Sequence, residues 1–156
     1  KFPEGNFDEV FFPSLHMAAK TGNINQMGER VEEGEDVNSL DDQGLTPAAY
    51  AAGMGHVPAL AALCVLGADV RFRDSQNNSL FHLAAAYDQV DVVKYLVLFG
   101  EKHPEFGEEF KQNVWASWKN DMGNSVLDIA QRGSQGQVYL YLCERLKLRV
   151  AARAVN

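Results

Sequence analysis

Metal-binding and redox chemistry have little to work with in this chain: among 156 residues there are four histidines and two cysteines, with no H-x-x-x-H or C-x-x-C pair. No metal site is expected, and no disulfide framework. Apolar runs are short. Although 46% of the residues are hydrophobic, no stretch approaches the roughly 18 consecutive apolar residues that cross a bilayer, so membrane insertion is not expected. Positive charge is also scarce: Lys and Arg number 14 against 21 Asp and Glu, a net charge of −7. A chain that neutralised phosphates would carry a basic stripe, so nucleic acid is a poor fit. The one basic segment, Arg145, Lys147, Arg149 and Arg153, reads as the end of a last helix offsetting its dipole.

Enzymatic signatures are missing as well. Gly133-Ser134-Gln135-Gly136 follows no predicted strand and is no phosphate loop. No Ser or Cys is placed by the pattern beside a His and an orienting acid. The chain reads as a non-enzyme without cofactor. Its first residue is Lys1 and not Met, so removal of upstream residues, by processing or by design, is expected.

What is present is repetition. The stretch from Asp41 to Asp69 gives a turn at Asp41-Asp42-Gln43-Gly44, a helix start at Thr46-Pro47, a second helix from Pro58 to about Val65, and a glycine exit at Gly67. A spacing of 33 residues relates Thr46 to Pro13 and Ser79, Gly67 to Gly34 and Gly100, Ala51 to Ala18 and Ala84, and Asp41 to Asp8 and Asp74. After Gly100 the register slips by 13 residues and returns, so that Ser125, Ala130 and Leu142 align with Ser79, Ala84 and Leu96. Cys64 and Cys143 fill one slot two repeats apart. At ~10 Å per stacked helix their sulfurs are about 20 Å apart, beyond the ~7 Å Cα limit for a disulfide, and they read as buried small hydrophobes.

A turn-and-two-helix unit of this period, with Ser14-Leu15-His16-Met17-Ala18-Ala19, Thr46-Pro47-Ala48-Ala49-Tyr50-Ala51-Ala52, Ser79-Leu80-Phe81-His82-Leu83-Ala84-Ala85 and Ser125-Val126-Leu127-Asp128-Ile129-Ala130 opening the copies, resembles the ankyrin repeat. In its eroded motifs it is similar to small bacterial members of that family. The resemblance implies an all-α solenoid of stacked helix-turn-helix units with hairpin finger loops. It divides 1–156 into a leader (1–7), repeats at 8–40, 41–73 and 74–106, an inserted segment (107–119), a fourth repeat (120–152) and a tail (153–156). It also implies that His16 and His82 hydrogen-bond between adjacent loops; by their own spacing, Ser125 and Asp128 match a capping box.

Two segments depart from the pattern. The leader carries Phe2, Phe7, Phe11 and Phe12, expected to cover the apolar face of the first copy. In the insertion, Phe106, Phe110, Val114 and Trp118 fall at helical spacing with Trp115 beside them, predicting one extra helix from Glu105 to about Lys119 in place of the third finger.

The resemblance implies function through surface: binding another protein with finger tips and first-helix ends. Position by position, the expected partner-binding residues are Phe12, Leu45, Met54, Arg71, Phe72, Arg73, Tyr87, Trp115, Trp118, Met122 and Arg132. Phe72 between two arginines is expected on a projecting tip, and the insertion is expected to be the specificity element. With little sequence outside the stack, the effect is expected to come from occupancy. That favours a monomeric, stoichiometric inhibitor or self-protection (immunity) protein for an enzyme. The alternatives are an adaptor domain of a larger effector or regulator, and a ligand or catalytic site beside the insertion. Location is cytoplasmic by family default, or periplasmic or secreted given the missing Met.

Overall fold

The computed structural model describes residues 14–133 and 135–146. The leader with its phenylalanines, Phe12 included, and the basic residues Lys147, Arg149 and Arg153 lie outside the described residues.

Short polar side chains set every helix start on the finger side. Ser14, Thr46, Ser79 and Ser125 each accept a bond from the backbone N–H three residues on, at Met17, Ala49, His82 and Asp128, and so cap α1 (Leu15–Thr21), α3 (Pro47–Met54), α5 (Leu80–Ala86) and α8 (Val126–Gln131). Thr46, Ser79 and Ser125 keep the expected register; the first copy starts one residue late, on Ser14 and not Pro13. At Ser125 the capping box is complete, with Asp128 Oδ2 accepting from Ser125 N at 2.9 Å. Each of these helices is followed by a partner: α2 (Ile24–Glu32), α4 (Val57–Val65), α6 (Val90–Lys102) and α9 (Gln137–Arg145).

The pairs stack into two layers. α1, α3, α5 and α8 pack successively on one another, and α2, α4, α6 and α9 do the same behind them. Alanines make the first layer thin: Ala18, Ala19, Ala48, Ala49, Ala51, Ala52, Ala84, Ala85 and Ala130 are all buried. The second layer contributes Met27, Leu60, Leu63, Val92, Val93, Leu96, Val97, Val138 and Leu142. Neither helix of a pair can bury its apolar face alone, so the core exists only as a stack. The result is an all-α repeat solenoid whose extended segments, among the described residues, are isolated bridges at Arg73 with Ser79 and Lys119 with Ser125.

The joints between pairs differ in an informative way. After α1 and α3 the chain turns on Gly22 (φ 75°) and Gly55 (φ 79°). Each lies under a side chain of the next pair: His56 Nε2 donates to the Lys20 carbonyl at 3.0 Å, and Gln89 Nε2 donates to the Gly53 carbonyl at 3.1 Å. After α5 the corresponding residue is Asp88, left-handed at φ 55°. Its carboxylate accepts from the amides of Gln137 (3.1 Å) and Val138 (2.9 Å), capping α9 of the following pair. Asp88→Ala removes that cap and places a Cβ-bearing residue without a helpful polar group in the left-handed region. It is expected to lower stability by about 2 kcal/mol in urea denaturation, and an unchanged midpoint would show that the carboxylate does not hold α9.

The inserted segment is not one helix. α6 runs on to Lys102, α7 (Gly107–Lys111) is a separate short helix, and a 3-10 turn follows at Val114–Ser117. Asn113 at φ 57° breaks the path between them. The break lets Phe110 and Trp115, both fully buried, face Phe81 together; one continuous helix would not bring both to it. Nor is the third finger replaced. The turn at 120–124 is intact and tied to the preceding finger, Asp121 N donating to the Gln76 carbonyl at 3.0 Å and Asn120 Nδ2 to Asn78 Oδ1 at 2.8 Å.

Candidate functional site

Three finger tips share one construction. Asp41 Oδ1 accepts from the amides of Gln43 and Leu45, Asp74 Oδ1 from those of Gln76 and Asn78, and Asn120 Oδ1 from those of Met122 and Asn124, all at 2.7–3.1 Å. An Asp or Asn closing its own turn in this way leaves the next residues projecting. Burial works against the Asp41 carboxylate, but the Tyr50 hydroxyl and the turn amides outweigh it and hold it below the usual carboxylate range. In return, that hydrogen bond pushes Tyr50 up to about 12.

Neighbouring fingers are cross-linked through polar side chains. His16 Nε2 meets the Ser39 carbonyl at 2.8 Å, and His82 Nε2 meets that of Asn124 at 3.1 Å, so both histidines bridge adjacent loops. Asn38 links the base of one loop to the next, donating to the Gly67 carbonyl (3.0 Å) and accepting from the Asp69 amide (2.8 Å).

On this frame the expected contact residues separate into two groups. Met54 (41% exposed), Tyr87 (60%) and Met122 (81%) are open on the finger side. Arg132 is exposed beside them and donates to Asn124 Oδ1 at 3.0 Å. Leu40, which precedes the first finger, is 62% exposed and extends the same row.

The others are engaged in the fold. Leu45 is half-buried against the core. Phe72 is buried because the loop leg alternates, Val70 and Phe72 inward and Arg71 outward; it is not on a tip. Arg71 donates to Glu109 Oε2 at 3.1 Å and to the Glu105 carbonyl, with its guanidinium 4.9 Å from the centre of the Phe106 ring. Arg73 lies 4.8 Å over Trp118, which is half-buried, and donates to the Asn77 carbonyl at 3.0 Å. Trp115 is fully buried. The insertion therefore turns Phe110, Trp115 and Trp118 inward, onto Phe81. What it presents outward is mostly polar, including Glu105, Glu108, Lys111 and Gln112, with Val114 also exposed.

Met17 escapes the position-by-position expectation. It is 46% exposed and occupies the slot that Tyr50, Leu83 and Ile129 fill in later copies.

Two arrangements with chemical form remain. Ser79 Oγ is 2.7 Å from His82 Nδ1, a separation suited to nucleophile activation. Both residues are buried, at 0% and 1% exposure. Ser79 Oγ is also the cap of α5, so this pair holds backbone and reaches no substrate. An open groove of about 560 Å³ runs between α6 and α9, lined by Val90, Lys94, Gln137, Leu140, Tyr141, Glu144 and Arg145. It lies in the second layer, away from the fingers. Among the described residues, no three His, Cys, Asp or Glu side chains converge to hold a metal ion, and no helix is long and apolar enough to cross a membrane. Both thiols are free. Cys64 is buried and pushed up to about 11 by that burial, whereas Cys143 is only half-buried, not the core hydrophobe its slot suggested.

Comparison with known proteins gives the same picture. A family model described as ankyrin repeats (3 copies) matches residues 15–109. A segment of 82 residues, 52% of this chain, is 35% identical to the E3 ubiquitin-protein ligase Ufd4 of Drosophila melanogaster. The match spans 3% of the length of that relative.

Proposed function

This chain belongs to the ankyrin-repeat family, and from that premise we propose that it binds one protein partner stoichiometrically through its finger-side face. Ankyrin repeats are protein–protein interaction modules; the finer reading concerns where and to what end. The observation that carries it is the row of exposed apolar side chains Leu40, Met54, Tyr87 and Met122. Exposed apolar side chains among exposed polar ones, here Asp42, Gln76, Asp121 and Arg132, are the usual make-up of a partner surface. In this reading the α8–α9 pair is a fourth repeat and contributes Met122 and Arg132.

We favour an inhibitor of an enzyme as the use of that surface, since occupancy alone suffices for it. The second reading, a targeting domain within a larger protein, is supported by the short match to a much longer ligase. The test is capture from the native source followed by titration of the captured protein with pure chain. One-to-one binding is expected, with Tyr87→Ala weakening it about 30-fold and Met122→Ala less, as for a central aromatic anchor worth ~2 kcal/mol. Undiminished affinity in the double variant would remove the finger-side face from consideration. If the captured protein is an enzyme that keeps full activity when saturated, the inhibitor use fails while the binding reading stands. Detection of a native product much longer than 156 residues would favour the targeting domain.

A further inference from the structure

Four helices form the back of the stack, and three of them turn charge outward as a solvated face does: Glu29 and Glu32 on α2, Asp91 and Lys94 on α6, and Glu144 on α9. The fourth, α4, does not. Its sequence, VPALAALCV, holds no charged residue, and the side it turns away from the core is Pro58, Ala61, Ala62, Val65 and, just past its end, Leu66. Val65 is 85% exposed, the most open large apolar side chain among the described residues. Leu98, one period on from Val65, is exposed too and widens this face onto α6. A helix apolar on every side is ordinarily enclosed, whereas α4 is enclosed on one side only. The charges beside it differ in sign across it, with Glu29 and Glu32 on the α2 side and Lys94 on the α6 side. Gly28, Ala61 and Lys94 fill one slot at intervals of 33 residues, so they lie level across the three helices. Gly28 leaves open space, since an added Cβ there would meet nothing within 4 Å.

We propose that this face is covered by a second copy of the chain, α4 against α4, about a twofold axis running along the helix. Such an axis keeps level residues level and exchanges the flanks, so that α2 of each copy comes opposite α6 of the other. Lys94 of the second copy then enters the space over Gly28, beside Glu29 and Glu32, and the same contact is made a second time across the axis. Asp91 comes opposite Asn25, which fills its slot in α2 and carries no charge. Turning the second copy end for end sets α2 on α2 instead, with glutamates against glutamates, and like charges facing one another exclude that arrangement. Alanines at 61 and 62 let the two α4 helices approach to the near end of the usual interaxial range, about 8 Å. The contact is small. The nine residues of α4 extend ~14 Å, and the three helices span ~20 Å between outer axes, which is below the standard size of a tight interface and fits a dimer of micromolar Kd. The chain is thus a reversible dimer and not the monomer its sequence leads one to expect. The fingers lie on the opposite side, so each copy keeps its finger-side face free, and one-to-one binding there is compatible with the pair.

The experiment is sedimentation equilibrium of the full chain over a concentration series from about 1 to about 200 μM, which brackets a micromolar Kd. The weight-average mass is expected to climb from 17.3 kDa toward twice that value. Val65 is open to solvent, so Val65→Glu leaves the circular dichroism unchanged and weakens the dimer about 30-fold or more. Lys94→Glu is expected to weaken it about tenfold, and adding Glu29→Lys and Glu32→Lys to bring it back to within about threefold, because flanks reversed together still match. A mass that stays at 17.3 kDa throughout the series overturns the second copy as occupant. Association that survives Val65→Glu, or that Tyr87→Ala abolishes, lies on another face and overturns the proposal as well. Failure of the triple charge reversal to restore what Lys94→Glu loses overturns the twofold along α4. None of these readouts uses the finger-side partner, so the binding reading stands or falls separately.

Discussion

Trp115→Ala is expected to cost about 4 kcal/mol in stability, the largest single-substitution effect expected in this chain. The indole is fully buried and stacks on Phe81, ring centres 4.4 Å apart and planes 17° from parallel. Phe81 is itself fully buried and also meets Phe110 at 5.7 Å and Trp118 at 6.1 Å. These four rings join the inserted segment to the third pair. Deleting the indole removes a large apolar surface and leaves a void between α5 and the 3-10 turn that neither can close without losing Phe110 as well. Its Nε1 has no hydrogen-bond partner among the described residues, so the loss is one of packing and not of polar pairing. Trp115→Phe, which keeps a ring on Phe81 and deletes that unpaired donor, is therefore expected to cost no more than about 1.5 kcal/mol. Urea denaturation followed by circular dichroism reads both. An alanine variant within about 1 kcal/mol of wild type would mean that the indole is not core and would restore the insertion as a contact surface.

The same cluster marks where sequence reading succeeded and where it stopped. The 33-residue register was legible because every pair must solve the same two problems, capping its first helix and turning its finger, with the same residues. Thr46, Ser79 and Ser125 do the first, and Asp41, Asp74 and Asn120 the second. Register predicts position along the chain; it does not say which rings an irregular segment buries. Trp115 and Trp118 are three residues apart, and the break at Asn113 decides between them. Phe72 could have been placed correctly, since the alternation of Val70, Arg71, Phe72 and Arg73 carries a period of two. The flanking charges drew the expectation outward, whereas each arginine is occupied covering an insertion ring, Phe106 or Trp118. The exposed row, by contrast, came out of the register alone, because Met54 and Tyr87 occupy one slot at first-helix ends and Met122 a finger slot.

Gly100 shows the limit most sharply and gives the last large effect. By spacing it matches Gly34 and Gly67, which turn the chain at φ 99° and 100°. It is instead a helical residue inside α6, which continues to Lys102. What its slot needs is not a left-handed backbone but the missing side chain: a Cβ there would lie 2.0 Å from Phe110 Cδ1 and 2.3 Å from Cγ. The ring is fully buried and cannot swing away as an exposed side chain would. Alanine normally gains ~1 kcal/mol over glycine within a helix. Gly28 in α2, where an added Cβ would meet nothing within 4 Å, is expected to show that gain. At Gly100 the overlap outweighs it, and Gly100→Ala is expected to destabilise by about 2 kcal/mol net. The cause is separable by a double-mutant cycle. With Phe110→Ala already present the added methyl finds space, so the double variant should be more stable than the sum of the single effects by more than about 1 kcal/mol. Additive costs, or a stabilising Gly100→Ala, would mean that α7 does not seat its phenylalanine on α6, and the packing of the whole insertion would have to be redrawn.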